Sequence, residues 1–254
     1  MTALLTSELR KVTTLRFWWA LALAPLAVAL FAGSIYAAMA DGIGSLGSDL
    51  SSGAASVGLF VSIAAVLLFA GLFGALNAGT EFRHSTLTPT FLTAAGRDGV
   101  IAAKLIVTAG FGAGYTLLVE IVALACMTVF GGDGFTLTAS VFAMLAAGLL
   151  AGVAWSLIGA GVGLALRSSI GGAVALVVWY PMGELIVTAI LYGLGAQSLP
   201  QWLPGAVTWS TIAATSTRGI DGFAPWPWAA TVLVGWTALA VGLGWWSARS
   251  RDVT

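Results

Sequence analysis

Hydrophobic residues form six long runs along the chain, separated by short polar connections. The runs lie at about 17–40, 56–79, 100–130, 138–166, 169–195 and 227–247. Each run is long enough to cross roughly 30 Å of hydrocarbon as a helix. Because no water reaches backbone amides in a bilayer core, each segment must satisfy its own hydrogen bonds, which favours helices. The pattern predicts an all-α integral membrane protein whose residues 1–254 form a single domain of six transmembrane helices.

The basic residues predict the orientation of these spans. Nine of the ten fall on one side of a six-span arrangement, and Arg218 alone falls on the other. The nine are Arg10, Lys11, Arg16, Arg83, Arg97, Lys104, Arg167, Arg249 and Arg251. Since cytoplasmic connections are enriched in Lys and Arg, we expect both chain ends to lie in the cytoplasm. We expect a multi-pass protein of the plasma membrane, that is, the inner or cytoplasmic membrane.

Composition supports a membrane protein and excludes several other classes. Of the 254 residues, 59% are hydrophobic and only 8% are charged, whereas a soluble domain carries roughly a quarter charged residues. Ten acidic residues balance ten basic ones, so net charge indicates no nucleic-acid partner. His84 is the only histidine and Cys126 the only cysteine. We therefore predict no metal site, no cofactor and no disulfide within the chain.

Two segments outside the spans have an amphipathic or semi-apolar pattern. The N-terminal residues predict an interfacial helix, with Glu8, Arg10 and Lys11 away from its apolar side. That apolar side would carry Leu4, Leu5, Leu9, Val12 and Leu15. Residues 196–226 contain many apolar side chains although they connect two spans, so we expect them to fold back onto the bundle as a re-entrant-like outer segment.

Residues 80–99 form the one sizeable polar connection on the predicted cytoplasmic side. Thr88 can cap a helix that begins at Pro89, where proline's missing N–H costs nothing, and Gly96 can end it. We therefore predict a short helix over residues 89–95, held at both ends by membrane spans.

Glycine and proline positions predict how the spans pack. Small residues four apart in apolar helices allow close helix contacts, and three such pairs occur. They are Gly110 with Gly114, Gly148 with Gly152, and Gly159 with Gly163. Pro181 is expected to distort the fifth span near its middle.

Two carboxylates lie inside predicted spans, Glu120 in the third and Glu184 in the fifth. A charge at such a depth costs about 2.5–3.5 kcal/mol on insertion scales unless it is protonated, paired or facing water. Two interpretations stay open. Glu120, Glu184 and the neighbouring Tyr180 could line a cargo pathway, or the two carboxylates could hydrogen-bond to neighbouring helices.

The stretch from Glu81 to Leu92, Glu-Phe-Arg-His-Ser-Thr-Leu-Thr-Pro-Thr-Phe-Leu, and its continuation through Arg97 to Lys104 resemble the inner loop of type-2 ABC transporter permeases. The N-terminal sequence SELRKVTTLRFWW is similar to the amphipathic first helix of that family. The six-span topology and the semi-apolar outer segment before the sixth span agree with this resemblance.

The resemblance implies the permease subunit of an ATP-binding cassette exporter. Such a subunit forms the translocation pathway, pairs with a second permease subunit as a homodimer or heterodimer, and binds two copies of an ATPase subunit. Because the sequence contains no G-x-x-x-x-G-K-[ST] phosphate loop, ATP hydrolysis is expected on that partner and not on this chain. The residues expected to couple to the ATPase are Glu81, Arg83, Thr88, Pro89, Phe91, Leu92 and Arg97.

Two alternatives come from other functional classes. A secondary transporter would be expected to show an internal repeat and ion-coupling carboxylates near the membrane midplane, and we find no convincing repeat. A membrane protein that acts by binding, in immunity or in a structural role, needs neither feature. Copurification of an ATPase would distinguish an exporter from both.

Overall fold

Long helices make up almost all of the chain that the structure describes. The structure is a computed structural model, and it describes residues 2–43, 51–83, 96–131, 137–213 and 223–250. Six of its helices are long and apolar enough to cross a membrane. The predicted all-α fold with six spans is therefore confirmed, while the orientation in the membrane stays a prediction.

The helix bounds agree with the hydrophobic runs to within a few residues, apart from a longer second helix. The N-terminal helix spans Thr2–Thr14. A short helix in the predicted outer segment spans Pro204–Ile212, and we call it the outer helix. The first to fourth spans are Phe17–Ile43, Ser51–Arg83, Arg97–Phe130 and Ala139–Leu166. The fifth and sixth spans are Ser169–Gly193 and Trp228–Ser250.

The second span lies at the centre of the bundle. It packs against the first, third, fourth and fifth spans, and its residues Leu59, Ile63, Leu67 and Phe73 are fully buried. The fifth span is peripheral by contrast, since large apolar side chains such as Leu185 and Ile190 are more than half exposed. Because this span is apolar enough to cross a membrane, its exposed face must contact lipid or another membrane protein.

Glycines allow the second, third and fourth spans to approach closely. A side chain added at Gly159 would overlap the backbone of Gly71, and one added at Gly163 would lie 3.0 Å from the Cα of Ala75. Gly148 and Gly152 likewise face the third span. These two glycine pairs therefore lie at close helix contacts, as predicted.

The third glycine pair, Gly110 with Gly114, does not lie at a close contact between described helices. A side chain added at Gly110 or Gly114 would meet nothing within 4 Å among the described residues. Both positions face away from the rest of the described chain, so no described helix packs closely against them.

Pro181 interrupts the regular hydrogen bonding of the fifth span. Proline has no N–H to donate, and residues Trp179–Gly183 form a π-helical turn in which the N–H of Glu184 donates to the carbonyl of Trp179. Below and above this turn the span is ordinary α-helix, Ser169–Val178 and Glu184–Gly193.

The contrast between the two kinds of glycine gives a testable prediction. Gly159→Ala should destabilise the protein by about 1–3 kcal/mol, because the added methyl group overpacks the contact with Gly71. Gly110→Ala should leave stability unchanged or raise it by up to about 1 kcal/mol, since alanine is the better helix former and the space is open. Thermal unfolding of the purified variants in detergent measures both changes. Equal stability of the two variants would contradict the close contact.

Candidate functional site

The predicted ATPase-coupling residues lie on and between the ends of the second and third spans. Thr88, Pro89, Phe91 and Leu92 lie outside the described residues, as does the short helix predicted over 89–95. Arg83 ends the second span and Arg97 begins the third. These two helix ends are the stems of the connecting segment 84–96.

Four charged side chains form a cluster at these stems, and we call Glu8, Lys11, Glu81 and Lys104 the charge cluster. The Lys104 ammonium lies 2.7 Å from Glu8 Oε2 and 3.1 Å from Glu81 Oε1. The Lys11 ammonium lies 2.6 Å from Glu8 Oε1 and 2.9 Å from Glu81 Oε1. Each lysine thus bridges both carboxylates, and the cluster is electrically neutral.

The charge cluster joins three helices that are far apart in sequence. Glu8 and Lys11 come from the N-terminal helix, Glu81 from the end of the second span, and Lys104 from the first turns of the third. Since Glu81 precedes the connecting segment and Lys104 follows it, the cluster fastens the two stems to each other and both to the N-terminal helix.

Burial makes this connection hard to break. Glu8, Glu81 and Lys104 are 3%, 7% and 4% exposed, and Lys11 is the half-exposed member. Removing one partner of a buried ion pair strands a charge and typically costs about 3–5 kcal/mol. Pulling the paired groups apart inside this apolar helix junction would leave buried charges without partners and would cost a similar amount of free energy.

The raised pKa of Lys11 keeps this ammonium group protonated at physiological pH. Partial burial lowers this pKa, but hydrogen bonds to Glu8 and Glu81 and their negative charges outweigh burial and raise it above its ordinary value of 10.5. Because the folded-state pKa is raised, the stability from this ammonium is fully present below pH 10.5 and is lost only above it.

One helical turn further into the bundle, a hydrogen bond between uncharged side chains also joins the second and third spans. Asn77 Nδ2 donates to Thr108 Oγ1 at 2.9 Å, and the Thr108 hydroxyl donates to the carbonyl of Lys104. Asn77 lies four residues before Glu81 and Thr108 four residues after Lys104, so the same two helix faces meet at both levels.

The sequence predicted Glu81 as a coupling residue but did not predict its buried partners. Glu8 was expected on the polar side of the N-terminal helix, and that placement is wrong: it is buried against Lys104, while Leu9 and Leu15 are nearly half exposed. A burial preference based on polarity alone fails here because a lysine near the start of the third span supplies the opposite charge. The i, i+3 spacing of Glu8 and Lys11 was the available signal.

Glu184 has backbone partners at the N-terminus of the outer helix. Its two carboxylate oxygens accept hydrogen bonds from the N–H groups of Gly205 and Ala206 at 2.7 and 2.6 Å. These N–H groups belong to the first turn of that helix, where no intrahelical acceptor exists and the helix dipole favours a negative charge. Of the two interpretations of Glu184, the structure therefore contains the hydrogen bond to a neighbouring helix.

Glu120 and Tyr180 lie in packed surroundings. Glu120 is 4% exposed, and a side chain added at Gly148 would overlap its Oε1 atom. That oxygen has no hydrogen-bond partner among the described residues. The Tyr180 hydroxyl donates to the carbonyl of Ala64 at 2.7 Å, and its ring packs edge-on against Trp155. Their role in a cargo pathway stays a prediction.

A comparison with protein-family models gives one match, to the family described as "ABC-2 family transporter protein", over residues 4–196. This match covers about three quarters of the chain. The chain belongs to the ABC-2 transporter family. It is therefore a membrane component of an ABC transporter, as the resemblance of its inner loop indicated.

The matched region of this ABC-2 protein includes the whole charge cluster and the first five spans. The outer helix and the sixth span lie beyond it. No curated protein sequence matches the chain.

The charge cluster of this ABC-2 protein predicts a specific pattern of stability changes. Lys104→Gln should cost about 3–5 kcal/mol, because it leaves two buried carboxylates facing one half-exposed lysine. Glu8→Gln/Lys104→Gln should cost clearly less, since a balanced Lys11–Glu81 pair remains. Unfolding of the purified proteins in detergent measures both.

Arg249→Gln is the matched control for this series. Arg249 lies 3.9 Å from Asp98 and both are exposed, so its loss should change stability by less than about 1 kcal/mol. A double variant as unstable as Lys104→Gln would show that charge balance is not what stabilises these helices.

Glu184 gives a second prediction. Glu184→Gln should preserve the fold but loosen the outer helix, because the amide keeps one acceptor and turns its own N–H groups towards the second donor. Hydrogen–deuterium exchange at Gly205 and Ala206 should become about tenfold faster. Thr188→Val, one turn along the same helix, is the control and should leave exchange unchanged. Unchanged exchange in Glu184→Gln would contradict the capping role.

Proposed function

We propose that this chain is the permease subunit of an ATP-driven exporter, and that a separate ATPase subunit drives it through the connecting segment 84–96. Membership of the ABC-2 family supports the transport function. The observation that carries the coupling proposal is the charge cluster, which fastens both ends of this segment to the N-terminal helix.

The charge cluster makes the stems suitable for transmitting a displacement of the connecting segment to the bundle. If a partner displaces the connecting segment, Glu81 and Lys104 cannot separate without exposing unpaired charge to apolar surroundings. The ends of the second and third spans therefore move together with the N-terminal helix. Because the second span packs against four other spans, its displacement reaches most of the bundle.

The partner contacts themselves fall to the connecting segment. Phe91 and Leu92 are the large apolar side chains that follow Pro89 in this segment, and inserting each into a groove on the ATPase would contribute about 1.5–3 kcal/mol. Arg83 and Arg97 would mainly set orientation and specificity. Glu81, whose side chain is buried in the charge cluster, would contribute to coupling by holding the stems of the segment together.

The complete exporter would contain a second permease subunit, identical or different, and two ATPase subunits in the plasma membrane. The exposed apolar face of the fifth span supports an additional protein neighbour, because a second subunit could cover part of it. Both chain ends and the connecting segment would then lie in the cytoplasm, where ATP is available. Cargo would move outward along a path that includes Glu120, Tyr180 and Glu184.

The coupling proposal predicts that two apolar side chains matter more than one charge. Phe91→Ala/Leu92→Ala should abolish most ATPase binding, whereas Arg97→Ala should weaken it by less than about tenfold. The chain is coexpressed with its cognate ATPase, and copurification and permease-stimulated ATP hydrolysis are measured. If the double variant reaches the membrane and retains full binding and stimulation, the segment is not the coupling element and contacts lipid headgroups instead.

A further inference from the structure

An apolar groove of about 310 Å³ lies between the fifth and sixth spans, with the fourth span as its floor. Ile158 and Val162 of the fourth span line its floor. Ala175 of the fifth span and Leu239 and Leu243 of the sixth line its walls. The groove opens sideways from the bundle, at the level of the membrane-spanning helices.

The lining of this groove offers hydrocarbon contacts. Trp155 and Trp236 lie in it, but the Trp155 indole N–H donates to Thr208 Oγ1 at 3.0 Å and the Trp236 N–H donates to the carbonyl of Trp202 at 2.9 Å. Both donors are used by the outer helix and the turn before it. An occupant therefore meets the apolar rings and not their polar groups.

The groove extends along the fourth span. Its lining on that span runs from Trp155 to Ala165, a rise of about 15 Å. An extended hydrocarbon chain can lie along such a length of apolar side chains.

The two ends of the groove differ. Pro204, at the start of the outer helix, lies at one end. The other end reaches Ala165 and Leu243, near the ends of the fourth and sixth spans on the side of the chain termini.

A cation, Arg167, lies near the end of the groove at Ala165 and Leu243. The Ser247 hydroxyl donates to the carbonyl of Ala165 at 3.3 Å, and the Ser247 carbonyl accepts from Arg167 Nη2 at 2.7 Å. The Arg167 guanidinium is thus two hydrogen bonds from a residue that lines the groove. The guanidinium also lies over the Phe82 ring, with its Cζ atom 5.9 Å from the ring centroid. No carboxylate pairs with it among the described residues, and its Nε atom is buried without a hydrogen-bond partner there.

We propose that this groove binds one acyl chain of an anionic phospholipid, whose phosphate lies beside Arg167. The carbon lining and the length of the groove along the fourth span favour a lipid tail. The Arg167 guanidinium, which no carboxylate among the described residues pairs, favours a negative headgroup. The lipid would fill the space between the fifth and sixth spans and so hold their separation. The proposal does not depend on the coupling to an ATPase, and its test uses the permease chain alone.

Native mass spectrometry of the purified full chain tests the proposal, with dioleoyl phosphatidylglycerol and dioleoyl phosphatidylcholine as probes. The wild type should retain phosphatidylglycerol about tenfold better than phosphatidylcholine. Ala175→Phe, which fills the groove, should lose both lipids. Val174→Phe, on the exposed face of the same helix, is the matched control and should bind like the wild type.

Arg167→Gln tests the headgroup and should bring phosphatidylglycerol down to the level of phosphatidylcholine, whereas Arg249→Gln should not. Excess inorganic phosphate should not displace the lipid, because it lacks the acyl chain. Circular dichroism and size-exclusion chromatography confirm that the variants are folded. Wild-type binding by Ala175→Phe overturns the proposal, as does a loss of dimer instead of lipid, which would make the groove a protein interface.

Discussion

Burial of two carboxylates and one ammonium group at a helix junction constrains how this protein can move. Each of these buried groups is tolerable in apolar surroundings only while its partners, the half-exposed Lys11 included, stay within hydrogen-bonding distance. The N-terminal helix, the end of the second span and the start of the third are therefore one mechanical unit. A force on the connecting segment acts on this unit and not on one helix end.

Packing in the rest of the bundle is closest between the second and fourth spans at the centre and least close at the fifth span. Glycines bring the second and fourth spans into backbone contact, so these spans have little freedom to slide. The fifth span has a π-helical turn and an exposed apolar face, and π-helical turns often occur at functional sites. Motion that begins at the mechanical unit formed by the charge cluster is therefore most easily accommodated at the fifth span.

Sequence patterns predicted the six spans because hydrophobic length alone decides whether a helix can cross a bilayer. They did not predict which glycines face a neighbour, since Gly110 and Gly159 sit in equally apolar surroundings along the chain. The charge cluster was also missed: Glu8 and Lys104 are 96 positions apart, and a buried pair is identified only when the fold brings its members together. Glu184 was placed inside a span, but its partners, two backbone N–H groups, carry no sequence signature.

The outer helix is attached to three different spans by separate polar contacts. Glu184 of the fifth span holds its first turn, Trp155 of the fourth donates to Thr208, and Trp236 of the sixth holds the turn before it at Trp202. The outer helix and the turn before it thus link one end of the fourth, fifth and sixth spans. Spreading any two of these spans at that end would break at least one of these hydrogen bonds, so the three spans are expected to move together there.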